Sequence, residues 1–168
     1  MCIRDSPNNT SEKLQFPPLY VALELGFNNI VNILQNHPQI KLNACDKLGI
    51  SIFMKAIAQK NTSVIDKILT YLTTLEQSAQ KNIINKRNNK QDSILYLLVE
   101  FKYDRYYIQK LFEFKDENHN PLLNVNVLNM YHNTPLHMAI YTDNNEVTKL
   151  LVDNKAHLDL LNKRGLSP

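Results

Sequence analysis

The stretch Asn133-Thr134-Pro135-Leu136-His137-Met138-Ala139-Ile140 decides how this chain is read. Thr134 suits the cap of a helix that starts at Pro135. Proline fits the first helical position because its missing N–H would be unpaired there anyway. Leu136, Ala139 and Ile140 then share one helical face. After Asp143, the apolar residues Val147, Leu150, Leu151 and Val152 supply a second short amphipathic helix. The chain continues as Ala156-His157-Leu158-Asp159 and then Asn162-Lys163-Arg164-Gly165-Leu166-Ser167-Pro168.

The same frame recurs upstream. Pro17-Pro18-Leu19-Tyr20-Val21-Ala22-Leu23 takes the first-helix position, with Gly26 as a breaker and Ile30, Val31, Ile33 and Leu34 behind it. Ser51-Ile52-Phe53-Met54-Lys55-Ala56-Ile57 restarts it, backed by Val64, Ile65, Ile68 and Leu69. Ser93-Ile94-Leu95-Tyr96-Leu97-Leu98-Val99 is a third copy, backed by Ile108, Leu111 and Phe112. Helix openings at 17, 51, 93, 134 and 167 are separated by 34, 42, 41 and 33 residues. Two spacings fit a period of about 33, and two carry insertions of about eight or nine residues.

The chain resembles the ankyrin-repeat family. Thr134-Pro135-Leu136-His137-Met138-Ala139 carries the family's Thr-Pro-Leu-His-x-Ala motif, and Asn43 to Ser51 resembles its turn into the next repeat. The third copy departs from the pattern, with Asn88 for Asp, Gln91 for Gly and Ile94 for Pro. The resemblance implies an all-α fold, an ankyrin-repeat α-solenoid of helix–turn–helix units with short hairpin-like turns. The expected repeats run over 16–46, 47–88, 89–129 and 130–162, with a fifth starting at 163–168. Residues 1–15 read as a disordered or non-native tail, in which Met1 to Ser6 has no link to the repeat. The chain reads as a fragment whose fourth apolar stripe (Leu136, Ile140, Leu150, Leu151) lacks a downstream neighbour.

Residues 70–84 keep helical spacing through Leu72, Leu75 and Ala79, which predicts a long outer helix or a short extra one. Residues 114–126 are polar with one proline and read as a loop. Within them, Asp116-Glu117-Asn118-His119-Asn120 starts like a calcium loop. Pro121 stands where the sharp turn needs Gly, and Val127 where a bidentate Glu belongs, so calcium is not expected. The three glycines (Gly26, Gly49, Gly165) fall at repeat turns and build no phosphate loop. His137 is expected to bond to Thr134 and nearby backbone, tying adjacent repeats together. The other four histidines lack metal-ligand spacing. Tyr103, Tyr106, Tyr107, Phe112 and Phe114 crowd the third copy, where packing competes with a role as an interface hot spot. Lys81, Lys86, Arg87 and Lys90 form a modest basic cluster.

The resemblance further implies a protein partner docked on the turn tips and the exposed side of each first helix. Leu48, Ile50, Phe101, Met130, Tyr131, Asn133 and Tyr141 occupy such positions and are the expected partner-binding residues. For Leu48 and Ile50, padding of the turn between repeats is an equal alternative. The formal net charge of +3 is too small and dispersed to favour nucleic acid. No run of about 18 apolar residues exists, so no membrane span is expected. Cys2 and Cys45 read as free thiols of a reducing compartment, which favours the cytoplasm. The expectation is a monomeric protein-interaction module that is not an enzyme and holds no cofactor and no metal. The alternative is the targeting arm of a larger enzyme, or of a secreted bacterial effector, whose catalytic domain lies outside the chain.

Overall fold

The computed structural model describes residues 16–37 and 42–168; the expected tail at 1–15 lies outside them. Among the described residues the secondary structure is helical. It comprises nine α-helices, α1 (Pro18–Glu24), α2 (Asn28–Leu34), α3 (Ile52–Ala58), α4 (Thr62–Thr73), α5 (Gln77–Ile84), α6 (Ile94–Glu100), α7 (Arg105–Phe112), α8 (Pro135–Tyr141) and α9 (Asn145–Asp153). The only β pairings among those residues are isolated bridges within turns, Cys45 with Ser51, Arg87 with Ser93 and Lys115 with Pro121.

The N-caps of α1, α3, α6 and α8 are Pro17, Ser51, Ser93 and Thr134, which are the opening positions expected from the sequence. Three of these caps use a hydroxyl. Ser51 accepts the Met54 N–H, Ser93 the Tyr96 N–H and Thr134 the His137 N–H. Each satisfies one donor that a helix start leaves unpaired, worth about 1 kcal/mol. The far ends share a device as well. Gly26, Lys60, Lys102 and Asp143 adopt positive φ. The following N–H then bonds back to the carbonyl five residues earlier, Phe27 to Ala22, Asn61 to Ala56, Tyr103 to Leu98 and Asn144 to Ala139, each at 2.9 Å.

The chain divides into two compact units, Met1–Ile68 and Leu69–Pro168. In the first unit α1 packs on α2 and α3. Its core holds Leu19, Leu23, Val31, Ile52, Phe53, Ile57 and Ile65. In the second, α6 packs on α8 and α7 on α9, while each first helix also meets its own second helix. Ile94, Leu95, Leu98, Ile108, Leu111, Leu136, Ala139, Val147 and Leu151 fill that core. First helix on first and second on second is the pattern that buries a stripe no single helix pair can cover. Ile140 departs from the expected stripe, because Leu136 and Ala139 take the buried face and leave it 47% exposed.

The segment 70–84 holds both expected alternatives. α4 is extended to twelve residues, and α5 is added after it. The Gln80 side-chain amide clamps the link by donating to the Leu72 and Leu75 carbonyls, both at 3.0 Å. Cys45 is disulfide-bonded, which corrects the expectation of a free thiol. Two cysteines exclude a framework but not a single pair; Cys2 lies outside the described residues.

Five turns share one construction. In each, the side-chain oxygen of Asp46, Asn88, Asp116, Asn129 or Asn162 accepts the N–H of the residue four positions on. The distances are 2.7, 2.9, 2.8, 3.0 and 3.2 Å in that order. The fourth residue of each turn has positive φ, namely Gly49, Gln91, His119, His132 and Gly165. The turn at Asp116 is unexpected, since the polar stretch around it reads as a plain loop. It is an additional repeat-type turn between α7 and α8, with no helix following Pro121.

Gln91 occupies the left-handed region, with φ of 63°, where its counterpart Gly49 meets no Cβ penalty. Removing a left-handed cost of about 1–2 kcal/mol outweighs the extra chain entropy of glycine, about 0.5–1 kcal/mol. Gln91→Gly is therefore expected to stabilise the protein by roughly 0.5–1 kcal/mol. Thermal unfolding followed by circular dichroism checks this, and an unchanged or lower midpoint would refute it.

Candidate interaction surface

The turn tips of the second unit are bonded to one another. The Met130 N–H donates to the Lys90 carbonyl at 2.8 Å, and the Lys163 N–H to the Tyr131 carbonyl at 3.0 Å. Beside each backbone bond runs a side-chain bond. Asn129 Nδ2 donates to Asp92 Oδ1 at 3.1 Å, and Asn162 Nδ2 to Asn133 Oδ1 at 3.0 Å. Backbone and amide groups are thereby used up in holding the tips together, and the side chains of Met130 and Tyr131 project outward, exposed.

His137 contributes to the same bracing. Its Nδ1 accepts the Thr134 N–H at 3.1 Å and lies 2.8 Å from Thr134 Oγ1. Because Nδ1 accepts from a backbone donor, the ring proton sits on Nε2, which donates to the Leu166 carbonyl at 3.1 Å. Both ring nitrogens are used within the fold, and His137 is buried. Among the described residues no group of three or more His, Cys, Asp or Glu could hold a metal ion. No helix among them is long and apolar enough to cross a membrane.

An open cavity of about 580 Å³ lies beside this brace, lined among others by Tyr131, Asn133, Met138, Ile140, Tyr141 and Leu166. Tyr141 is 86% exposed and Tyr131 57%. Three of the residues expected at a binding surface, Tyr131, Asn133 and Tyr141, thus line one cavity. Met130 is exposed on the adjoining tip, and Phe101 is half-buried as the C-cap of α6. Leu48 and Ile50 belong to the first unit. Leu48 is exposed on its turn, whereas Ile50 is half-buried, with its N–H held by Asp46. Asn133 differs from the tyrosines, since its N–H and its Oδ1 are both bonded to other turn residues. The aromatics of the third copy divide: Tyr103 and Phe112 are buried, while Tyr106 is exposed and meets the Tyr107 ring edge-on at 5.2 Å.

Two tyrosines absent from the expected site anchor charged clusters. In the first unit the Tyr20 hydroxyl donates to Asp46 Oδ2 at 2.7 Å. Burial first, and then that carboxylate, raise its pKa far above the ordinary value. Lys55 pairs with Glu24 and stands 5.6 Å from the centre of the Tyr20 ring. In the second unit burial pushes Tyr96 up to about 12, helped by the charges of Glu100 and Asp92. Burial also raises the Glu100 carboxyl, as does Asp92, while Lys90 opposes the shift. The recurrence of Tyr and Glu four residues apart, at 20 and 24 and again at 96 and 100, could have revealed both clusters. It is visible only once the copies are set in register. Of the basic cluster, Lys81, Arg87 and Lys90 are exposed, while Lys86 is half-buried and burial lowers its pKa.

Residues 118–168 match the family model described as ankyrin repeats (many copies). No curated protein matches the chain.

His137→Ala is expected to cost about 1–3 kcal/mol, because it leaves the Thr134 N–H and the Leu166 carbonyl without their partner. A denaturant midpoint equal to that of the parent chain would exclude the bracing role. Burial also raises Tyr103 to about 12, alongside Tyr96. A phenol raised by folding gives stability that is complete below its ordinary pKa of 10 and is lost as pH climbs toward about 12. Tyr96→Phe should flatten part of this alkaline decline. Unfolding curves taken across that window, with phenolate absorbance as a second readout, would reveal it.

Proposed function

We propose that this chain, which carries ankyrin repeats at residues 118–168, is a protein-binding module. Its docking surface is the cavity wall of Tyr131, Tyr141, Ile140 and Leu166 together with the neighbouring tip at Met130. The observation that carries this reading is the division of labour at the tips. Their polar groups are consumed in tip-to-tip bonds, yet their largest apolar side chains stay in solvent. Exposed tyrosines give a wide contact area at low conformational cost, and such residues dominate binding energy where partners meet. Phe101, Leu48 and Ile50 are proposed as further contacts on the first-helix end and on the turn of the first unit. Asn133 fixes the tip and is proposed as a contact on the same cavity wall.

Ankyrin repeats generally serve in protein–protein interaction. The activity proposed here is accordingly recognition, with no reaction assigned to any residue. A library of random peptides displayed on phage and sorted on the intact chain supplies ligands even while the natural partner is unidentified. Combined Tyr131→Ala and Tyr141→Ala substitution is expected to weaken the selected ligands at least tenfold while leaving the unfolding midpoint unchanged. Full retention of affinity by the folded double variant would remove this wall as the docking surface.

A further inference from the structure

The cavity beside His137 joins an apolar wall to two cations. Tyr131, Met138, Ile140, Tyr141 and Leu166 form the apolar part, and Lys163 and Arg164 line the cavity with them. Among the described residues no Asp or Glu lines it. The amides of the lining are bonded within the fold. Asn162 donates to Asn133, and its own Oδ1 accepts the Arg164 and Leu166 N–H groups at 2.9 and 3.2 Å. Lys163 and Arg164 are exposed, and neither belongs to an ion pair among the described residues.

The turns account for this surplus of positive charge. Asn88, Asn129 and Asn162 each gather a turn of the second unit, and two positions on stand Lys90, Tyr131 and Arg164. Backbone bonds from Met130 to Lys90 and from Lys163 to Tyr131 join these tips into one row. The turns at Asp46 and Asp116 are gathered by a carboxylate, whereas these three are gathered by a neutral amide. Lys90 acts on the Glu100 carboxyl, so its charge is shared inside the fold. At the cavity end of the row, Lys163 and Arg164 stand beside apolar side chains instead.

A carboxylate that meets an exposed cation in open water gains little. Next to a wall that excludes water the same pair is stronger, and an arginine fork adds directional bonds. The cavity's volume of about 580 Å³ lies within the usual range of ligand clefts, roughly 300–1,000 Å³. Two cations against five apolar side chains favour a peptide over a nucleic-acid strand, whose regular phosphates call for more positive charge.

We infer that this cavity takes an acidic segment of the protein partner: a large apolar side chain enters against Tyr131, Ile140 and Tyr141, and an adjoining aspartate or glutamate meets Lys163 and Arg164. This inference rests on the reading of the chain as a binding module and specifies the chemistry of its ligand.

The same displayed peptide library tests it on the intact chain. Selected peptides should share an aspartate or glutamate next to a large apolar residue, and replacing that acid by its amide should weaken binding about tenfold. Combined Lys163→Gln and Arg164→Gln substitution should cause a similar loss, and pairing it with the amide peptide should cause no further one, as a double-mutant cycle requires. Both side chains are exposed, and the substitutions keep the Lys163 N–H on the Tyr131 carbonyl, so the unfolding midpoint should stay in place. If the selected peptides need no acid, or if the double variant binds them as well as the parent does, the acidic ligand is overturned and the binding module stands. A thymidine oligonucleotide that binds this wall more tightly than the acidic peptides would overturn the peptide in favour of nucleic acid. If no peptide is selected at all, the module reading fails, and the acidic ligand fails with it.

Discussion

A helix of seven residues does not hold together alone in water, because nucleating it fixes more dihedral angles than its few hydrogen bonds repay. All four first helices among the described residues have that length. Each must therefore be closed at both ends and covered on one face by another element. The N-cap hydroxyls and the left-handed residues close the ends. The neighbouring first helix covers the face. In the second unit the bonded turn tips and His137 add to the hold on these short helices.

This constraint explains which features could be read from the residues. Helix starts were legible because capping and the proline at the first helical position are local chemistry, written in Ser51, Ser93, Thr134, Pro18 and Pro135. The role of His137 was legible because its motif places it three residues from Thr134. The extra helical material at 70–84 was legible from spacing alone. The turn at Asp116 was not. A glycine is the usual signal for the left-handed position, and His119 fills it instead, as Gln91 does at the turn before α6. Once the side-chain oxygen of Asp116 has gathered the Asn118 and Asn120 N–H groups, the local geometry is set, and a non-glycine residue tolerates the strain.

The candidate site was partly legible for a different reason. Turn-tip and helix-end positions follow from the repeat frame, so Tyr131 and Tyr141 could be picked from register. Whether a side chain at such a position faces solvent or the next turn depends on partners about one repeat away. Asn133 lines the cavity and is also a strut, bonded by Asn162, which its place in the sequence does not disclose. Ile140 looks like core, yet it lies on the cavity wall. The Tyr and Glu pairs were hidden because their meaning lies in what the following repeat places against them, as Lys55 is placed against Glu24 and Tyr20.

The additional turn between α7 and α8 has a consequence of its own. Its tip closes on Asp116 and its near neighbours, while its base is tied to α5 by the Gln77 amide on the Lys115 carbonyl at 3.4 Å and the Asn85 amide on the Leu122 carbonyl at 2.8 Å. A hairpin built this way can vary at its tip without disturbing the bonds that hold its base to α5. Repeat proteins are usually thought to grow by whole units. Here a fraction of a unit is accommodated, which makes its exposed tip at 117–120 a natural port for grafted sequence.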